Sequence, residues 1–238
     1  MNLKENIVAV NSRIAAAAAR AGRDPSEITL VAATKVQTCD TIRAAIAAGI
    51  RACGENRVQE MTVHLDNDAY AGARVHFIGH LQTNKVKQVV GRVDLIESVD
   101  SLRLLDAINK RAGELELVQD VLLEVNIAGE ESKGGVCPDL LPALAEKAME
   151  LPHIRLRGLM CIPPLVVTGQ SNRKFFVETR QLYVDIRNKI ADNNADMDCL
   201  SMGMSGDFEE AVEEGATLVR VGTAIFGPRP PVQAPICK

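Results

Sequence analysis

Ile28-Thr29-Leu30-Val31-Ala32-Ala33-Thr34-Lys35 is the stretch from which the fold is read. An unbroken run of apolar and β-branched residues predicts a buried strand. A lysine closing such a run has two readings. It marks the exit into solvent, its stem lying along apolar surface. Or it is a partly desolvated amine at a strand end, a nucleophile toward carbonyl groups. The run itself leaves both open.

Upstream, Leu3, Ile7, Val10, Ile14 and Ala18 recur at helical spacing before Gly22 and Pro25, which predicts an opening amphipathic helix. Downstream, strands are predicted at 28–35, 50–54, 75–79, 93–99, 118–125, 154–160, 199–202 and 217–221. Helices are expected between them at 40–48, from about 57, and at 84–90, 101–111, 140–149, 173–190 and 208–213. Strands alternating with helices imply parallel pairing through right-handed crossovers. Eight such units predict an α/β fold of the TIM-type (β/α)8 class, with an additional N-terminal helix. No G-x-G-x-x-G follows the first strand, which weakens an open doubly wound sheet as the rival. No linker or composition shift interrupts the chain, so residues 1–238 read as a single domain with a proline-rich tail from Pro228.

Composition narrows the classes. The chain is 47% hydrophobic and 24% charged, ordinary for a globular protein. A net charge of −4 without a basic block argues against nucleic acid as a partner. No apolar run approaches the roughly 20 residues that span a bilayer, which argues against a membrane protein. The N-terminus lacks the basic start and apolar core of a signal peptide, so a cytoplasmic location is expected. Six scattered cysteines form no C-x-x-C pair and are expected as free thiols, and the four histidines lack metal-ligand spacing, so no metal is expected.

In a barrel of this class the C-terminal strand ends carry function. The first ends in Lys35, the second runs into Gly54-Glu55-Asn56-Arg57, and the fifth ends in Glu124-Val125-Asn126. The last two ends are the most specific. Ser205 and Gly206 precede one helical segment, and Gly222 and Thr223 repeat that chemistry one strand later. Such loops after strands seven and eight are a frequent phosphate cradle, although serine and aspartate before a helix also serve as simple caps. By period-2 alternation Arg220 shares a face with Leu218 and Gly222. An inward guanidinium requires an acceptor: an acid such as Glu124, or the ring nitrogen of a bound pyridoxal phosphate. A strand-end lysine, an inward arginine and a phosphate cradle match that cofactor's aldehyde, ring nitrogen and phosphate.

At these residues the chain resembles the pyridoxal phosphate homeostasis protein family, a PLP-binding barrel related to the alanine racemase N-terminal domain. The resemblance spans nearly the full length. It rests on Ala33-Thr34-Lys35, Gly54-Glu55-Asn56-Arg57-Val58-Gln59-Glu60, His76–Lys85, Arg157-Gly158-Leu159-Met160, Leu200–Phe208 and Val219–Gly227. It implies that Lys35 holds pyridoxal 5'-phosphate as a Schiff base and that Asn56 lies near the ring. It further implies that Arg220 faces the ring nitrogen, that Met202 lines the ring pocket, and that Ser205, Gly222 and Thr223, with Gly206 beside them, hold the phosphate. Lys133-Gly134-Gly135 stands where a Lys-x-Gly turn is expected, and Cys161 where a small or hydroxylic residue is expected.

Racemases of the related fold take a second acid/base from a tyrosine of an additional domain. Here only Tyr70 and Tyr183 occur, and neither falls at a predicted strand end. The chain is therefore read as a carrier that stores, protects and delivers the cofactor to PLP-requiring apo-enzymes, and a monomer is expected. The alternative is a PLP-dependent amino-acid racemase or lyase using Lys35 alone or with a histidine such as His80.

Overall fold

A computed structural model describes residues 2–130, 133–164, 171–190 and 197–228. The chain opens with α1 (Leu3–Arg20), whose start is closed reciprocally: the Lys4 N–H donates to Asn2 Oδ1 and the Asn2 N–H to Glu5 Oε2. Its buried stripe is Ile7, Val10, Ile14, Ala17 and Ala18, the face its periodicity predicts.

Next come β1 (Thr29–Ala33) with α2 (Cys39–Ala47), β2 (Ala52–Glu55) with α3 (Val58–Asp66), and β3 (Arg74–Phe77) with a 3-10 segment, Thr83–Gln88. Then follow β4 (Leu95–Val99) with α4 (Leu102–Glu114), β5 (Gln119–Val125) with α5 (Leu141–Glu150), and β6 (Ile154–Cys161) with α6 (Arg173–Ile190). The chain continues through β7 (Cys199–Ser201) with α7 (Phe208–Glu213) to β8 (Leu218–Val221) with α8 (Thr223–Phe226). All strands pair in parallel and in chain order, and β8 closes on β1 with Val31 opposite Arg220. This is the expected (β/α)8 barrel. The additional helix α1 bridges its first and last units by packing on α2, α7 and α8.

Two elements differ from expectation. The helix expected at 84–90 is the 3-10 segment Thr83–Gln88, too short to sustain an α-helix by propensity and anchored by buried Val86. The four-residue α8 has no counterpart among the expected helices; Ser205, distant in sequence, accepts from the Ala224 N–H in its first turn.

Alternation divides each strand between two cores. Val31, Ala52, Leu95, Leu122, Met160 and Leu218 gather inside the barrel. Their sequence neighbours Ala32, Cys53, Ile96, Val121, Leu159 and Val219 join the large cluster under the helices. Burying each large side chain there stabilises by roughly 1.5–3 kcal/mol, so the outer cluster dominates the fold's stability. The interior also holds buried His76, Glu97, Ser201 and Arg220.

Cys53, Cys137, Cys161 and Cys199 are free thiols. Cys39 is disulfide-bonded, which corrects the expectation of free thiols throughout, because linear spacing does not report pairings made through space. Cys237 and the tail beyond Pro228 lie outside the described residues. Among the described residues no helix is long and apolar enough to cross a membrane.

Candidate functional site

The C-terminal strand ends converge on a cavity of about 580 Å³. Lys35, Asn56, Ser205, Gly206, Arg220, Gly222 and Thr223 all line it. Met202 is not gathered with them. It continues the outward face of Leu200 and is fully buried in the outer core, while Met204 lines the cavity.

Lys35 is positioned by an unusual turn. Val36, directly after it, has φ of 59°, a left-handed conformation that β-branched residues rarely adopt. Two groups on α3 hold the turn: the Val36 N–H donates to Glu60 Oε2 at 2.8 Å, and His64 Nε2 donates to the Gln37 carbonyl at 3.1 Å. His64 belongs to a buried cluster behind β2, in which Glu55 Oε1 accepts from Thr34 Oγ1 at 2.5 Å and from the Tyr70 hydroxyl at 2.8 Å. Burial, with the charge of Glu55 adding to it, pushes the Tyr70 phenol far above its ordinary range, so it remains a donor.

Asn56 is held by close approach. A Cβ on Gly79 would lie 2.2 Å from the Asn56 carbonyl oxygen, so only glycine fits against that loop. The Asn56 Oδ1 atom is buried and has no hydrogen-bond partner, although the residue lines the cavity. A buried orphan acceptor is costly unless a ligand satisfies it.

The two glycine-bearing loops are tied together. Ser205 Oγ accepts from the Gly222 N–H at 3.2 Å and the Ala224 N–H at 3.4 Å, which leaves its hydroxyl proton to donate into the cavity. Serine therefore caps α8 of the next unit rather than α7, which follows it. Asp207 lines the cavity, but its carboxylate is engaged by the Met204 N–H and Asn172 Nδ2, both at 2.7 Å. That fixes the loop around Gly206.

Arg220 shares the inner face with Leu218, as alternation predicts. Its acceptors are Ser201 Oγ at 2.6 Å and the Cys161 carbonyl at 2.8 Å. Among the described residues it forms no ion pair, with Glu124 or any other acid. Cys161 thus acts through its main chain, and burial pushes its thiol up to about 11. Glu124 does line the cavity. Burial raises its carboxyl to about 7, opposed by the charge of Arg220 and assisted by that of Asp100. In the expected Lys-x-Gly turn, Gly134 lines the cavity, whereas Lys133 Nζ donates to Glu130 Oε1 and the Pro163 carbonyl, both at 3.0 Å.

A second cavity of about 600 Å³ opens at the opposite end of the barrel. Four of its charged groups pair with one another: Arg155 and Arg157 with Asp120 at 2.6 Å, and Arg157 with Asp198 at 2.5 Å. The upper cavity, which leaves Asn56 and part of Arg220 to a ligand, is the candidate site. Among the described residues no cluster of three metal-ligating side chains occurs. Reading strand ends did not assign Met204 or Asp207 to the cavity, and named His80 only as an acid–base partner in the racemase or lyase alternative; all three line it. All three sit in loops just past strand ends, where position is the only available signal. Ile78, Ile162 and Pro164 line it without any signal in composition.

A family model described as alanine racemase, N-terminal domain, matches residues 6–230. The pyridoxal phosphate homeostasis protein of Aquifex aeolicus is 44% identical across 96% of this chain and 99% of its own length. Its namesake in Escherichia coli K12 is 41% identical across 96% and 97%. The structure of PipY from Synechococcus elongatus with PLP bound superposes with a TM-score of 0.83 at 32% identity, covering 95% of this chain and all 100% of that one. A Clostridium difficile alanine racemase gives a TM-score of 0.70 at 14% identity, covering 96% of this chain and 57% of that one, which shows a shared fold alone.

Proposed function

The chain belongs to the pyridoxal phosphate homeostasis protein family, and on that premise we propose that it binds pyridoxal 5'-phosphate in the upper cavity, attached covalently through Lys35. In this reading it serves as a monomeric, cytoplasmic store and donor of the cofactor for PLP-requiring apo-enzymes. One observation carries the reading. A strand-end lysine, an inward arginine and the hydroxyl and N–H donors of two tied loops meet in a single cavity.

The residues present fit the cofactor. The cavity of about 580 Å³ is of ligand size, and the orphan Asn56 Oδ1 supplies an unsatisfied acceptor within it. When bound, pyridoxal phosphate supplies an aldehyde that condenses reversibly with primary amines. Lys35 Nζ is the attaching amine, held by the Val36 turn. The Ser205 hydroxyl and the main chain at Gly206, Gly222 and Thr223 cradle the phosphate. Arg220, which lines the cavity, would offer its remaining N–H groups to the ring nitrogen. Because guanidinium stays protonated, it disfavours a proton there and weakens the ring as an electron sink. Met202 lies in the outer core, and Met204, which lines the cavity, would face the bound cofactor.

Storage is favoured over catalysis by the placement of the tyrosines. Tyr70 is locked in the Glu55 cluster and Tyr183 lies on α6 with its hydroxyl on the Met197 carbonyl, so neither lines the cavity. The second reading, an amino-acid racemase or lyase, draws on His80 and Glu124, both of which line the cavity. A carboxyl near 7 suits acid–base work. Titration of the purified protein with pyridoxal phosphate, followed by transfer to a PLP-requiring apo-enzyme, tests the carrier reading. Saturable binding that is lost in Lys35→Ala, with recovery of apo-enzyme activity, supports it. Absence of saturable binding contradicts it.

A further inference from the structure

A line of four buried side chains runs through the barrel interior and joins its two cavities. Arg220 lines the upper cavity, and its NH1 donates to Ser201 Oγ at 2.6 Å. Ser201 donates its own proton to Glu97 Oε2 at 2.5 Å. The other oxygen of that carboxylate, Oε1, lies 2.7 Å from His76 Nδ1, and His76 lines the lower cavity. Glu97 and Ser201 are 0% exposed, and His76 and Arg220 4%. The four residues stand on β3, β4, β7 and β8, so the line exists only in the closed barrel.

Hydrogen-bond polarity along this line is fixed. Burial alone would push the Glu97 carboxyl up. The hydrogen bond and charge of His76, the charge of Arg220 and the Ser201 hydroxyl outweigh it and hold the group below the usual carboxylate range. An ionised carboxylate only accepts. His76 must therefore carry its proton on Nδ1, and the Ser201 hydroxyl must point at Glu97, leaving the serine oxygen to accept from Arg220. Every hydrogen on the line points toward Glu97. A buried guanidinium without a direct carboxylate partner is thus linked to a fixed negative charge through one hydroxyl.

We propose that Glu97, oriented by His76 and acting through Ser201, is a positioning residue that fixes the Arg220 guanidinium in the attitude from which it meets the cofactor ring. The inference rests on the proposed function, because it assigns Arg220 to the ring. It adds a reason for an acid in the centre of the barrel, where hydrocarbon would pack at lower cost. Removing the charge releases Ser201 to rotate, and the guanidinium loses its fixed acceptor.

The test compares the unmodified chain with Glu97→Gln and Ser201→Ala. Circular dichroism monitors the fold, and binding and the absorption spectrum of bound pyridoxal phosphate are the readouts. Glu97→Gln keeps the volume but places an amide donor against Ser201 or His76. Ser201→Ala removes a single oxygen and serves if the first variant fails to fold. The expected result is attachment still at Lys35, affinity lower by roughly tenfold, the scale of a lost hydrogen bond to a charged group, and a displaced absorption band. Ser201→Thr, which restores the hydroxyl, is expected to restore the band. A merely structural role would alter melting without moving the band. Folded Glu97→Gln and Ser201→Ala proteins that bind with unchanged affinity and spectrum overturn the positioning role alone. Failure of the unmodified chain to attach the cofactor overturns the proposed function and this inference together.

Discussion

Arg220 on the last strand stands in register with Val31 on the first, and this pairing closes the barrel. Lys35 lies four residues beyond Val31 and Gly222 two beyond Arg220, so the same pairing places amine, guanidinium and cradle around one cavity. Closure and site are one geometric fact. A chain unable to seal β8 on β1 has no site to load.

The Glu124 carboxyl titrates near 7 in the fold, against about 4.3 for an unfolded glutamate. Between these values the folded chain holds the proton and the unfolded chain does not, so this group's contribution to stability falls as pH rises through that window. Glu124→Gln removes the penalty. Denaturant melts at about pH 4 and pH 8 are expected to show the variant gaining on the parent at the higher pH, by roughly 3 kcal/mol at most. An identical difference at both pH values contradicts this.

Met202 and Met204 separate core from cavity. Met202→Ala empties a fully buried position in the outer cluster and is expected to cost about 2–5 kcal/mol of stability. Cofactor retention at temperatures below its melt is expected to change little. Met204→Ala is expected to do the reverse. Equal effects of the two variants on retention count against this division.

Gly79→Ala drives a methyl into the Asn56 main chain, because the new carbon would sit 2.2 Å from the Asn56 oxygen. The loop must move. The expectation is a lower melting temperature and weaker cofactor binding together, read by calorimetry and by titration. Unchanged binding places Asn56 outside the ring site.

Exchange chemistry distinguishes store from catalyst. The loaded protein is incubated with amino acids in D2O, and Cα deuterium is followed by NMR. No Lys35-dependent exchange beyond that of free cofactor is expected. Exchange that turns over and disappears in Lys35→Ala establishes the enzyme reading, and His80→Ala and Glu124→Gln then identify its second acid/base.

Much of this geometry is legible in the chain, to the extent that it depends on local periodicity. Lys35, Ser205 and Gly222 sit at strand ends, which succession alone locates, and the inward face of Arg220 follows from alternation. Met202 and Met204 show where that ends. β7 is only three residues, Cys199–Ser201, and at Gly203 the backbone takes φ of 89°, so the alternation that would put both methionines on one face lapses between them. Partner choice is also illegible. Arg220 has Glu124 as a plausible acid, yet the register across β6, β7 and β8 presents Ser201 and the Cys161 carbonyl instead. The role of Glu97 required the same register, because His76 and Ser201 lie on strands far apart in sequence. The disulfide at Cys39 and the reach of Ser205 to Gly222 are through-space facts of the same kind.

The covalent role of Lys35 is the centre of the account, and borohydride trapping tests it most directly. The protein is saturated with pyridoxal phosphate, reduced, digested and mapped by mass spectrometry. The account predicts one stoichiometric pyridoxyl adduct on the peptide carrying Lys35, absent in Lys35→Ala. A stoichiometric adduct on another lysine, or undiminished labelling in Lys35→Ala, would contradict it.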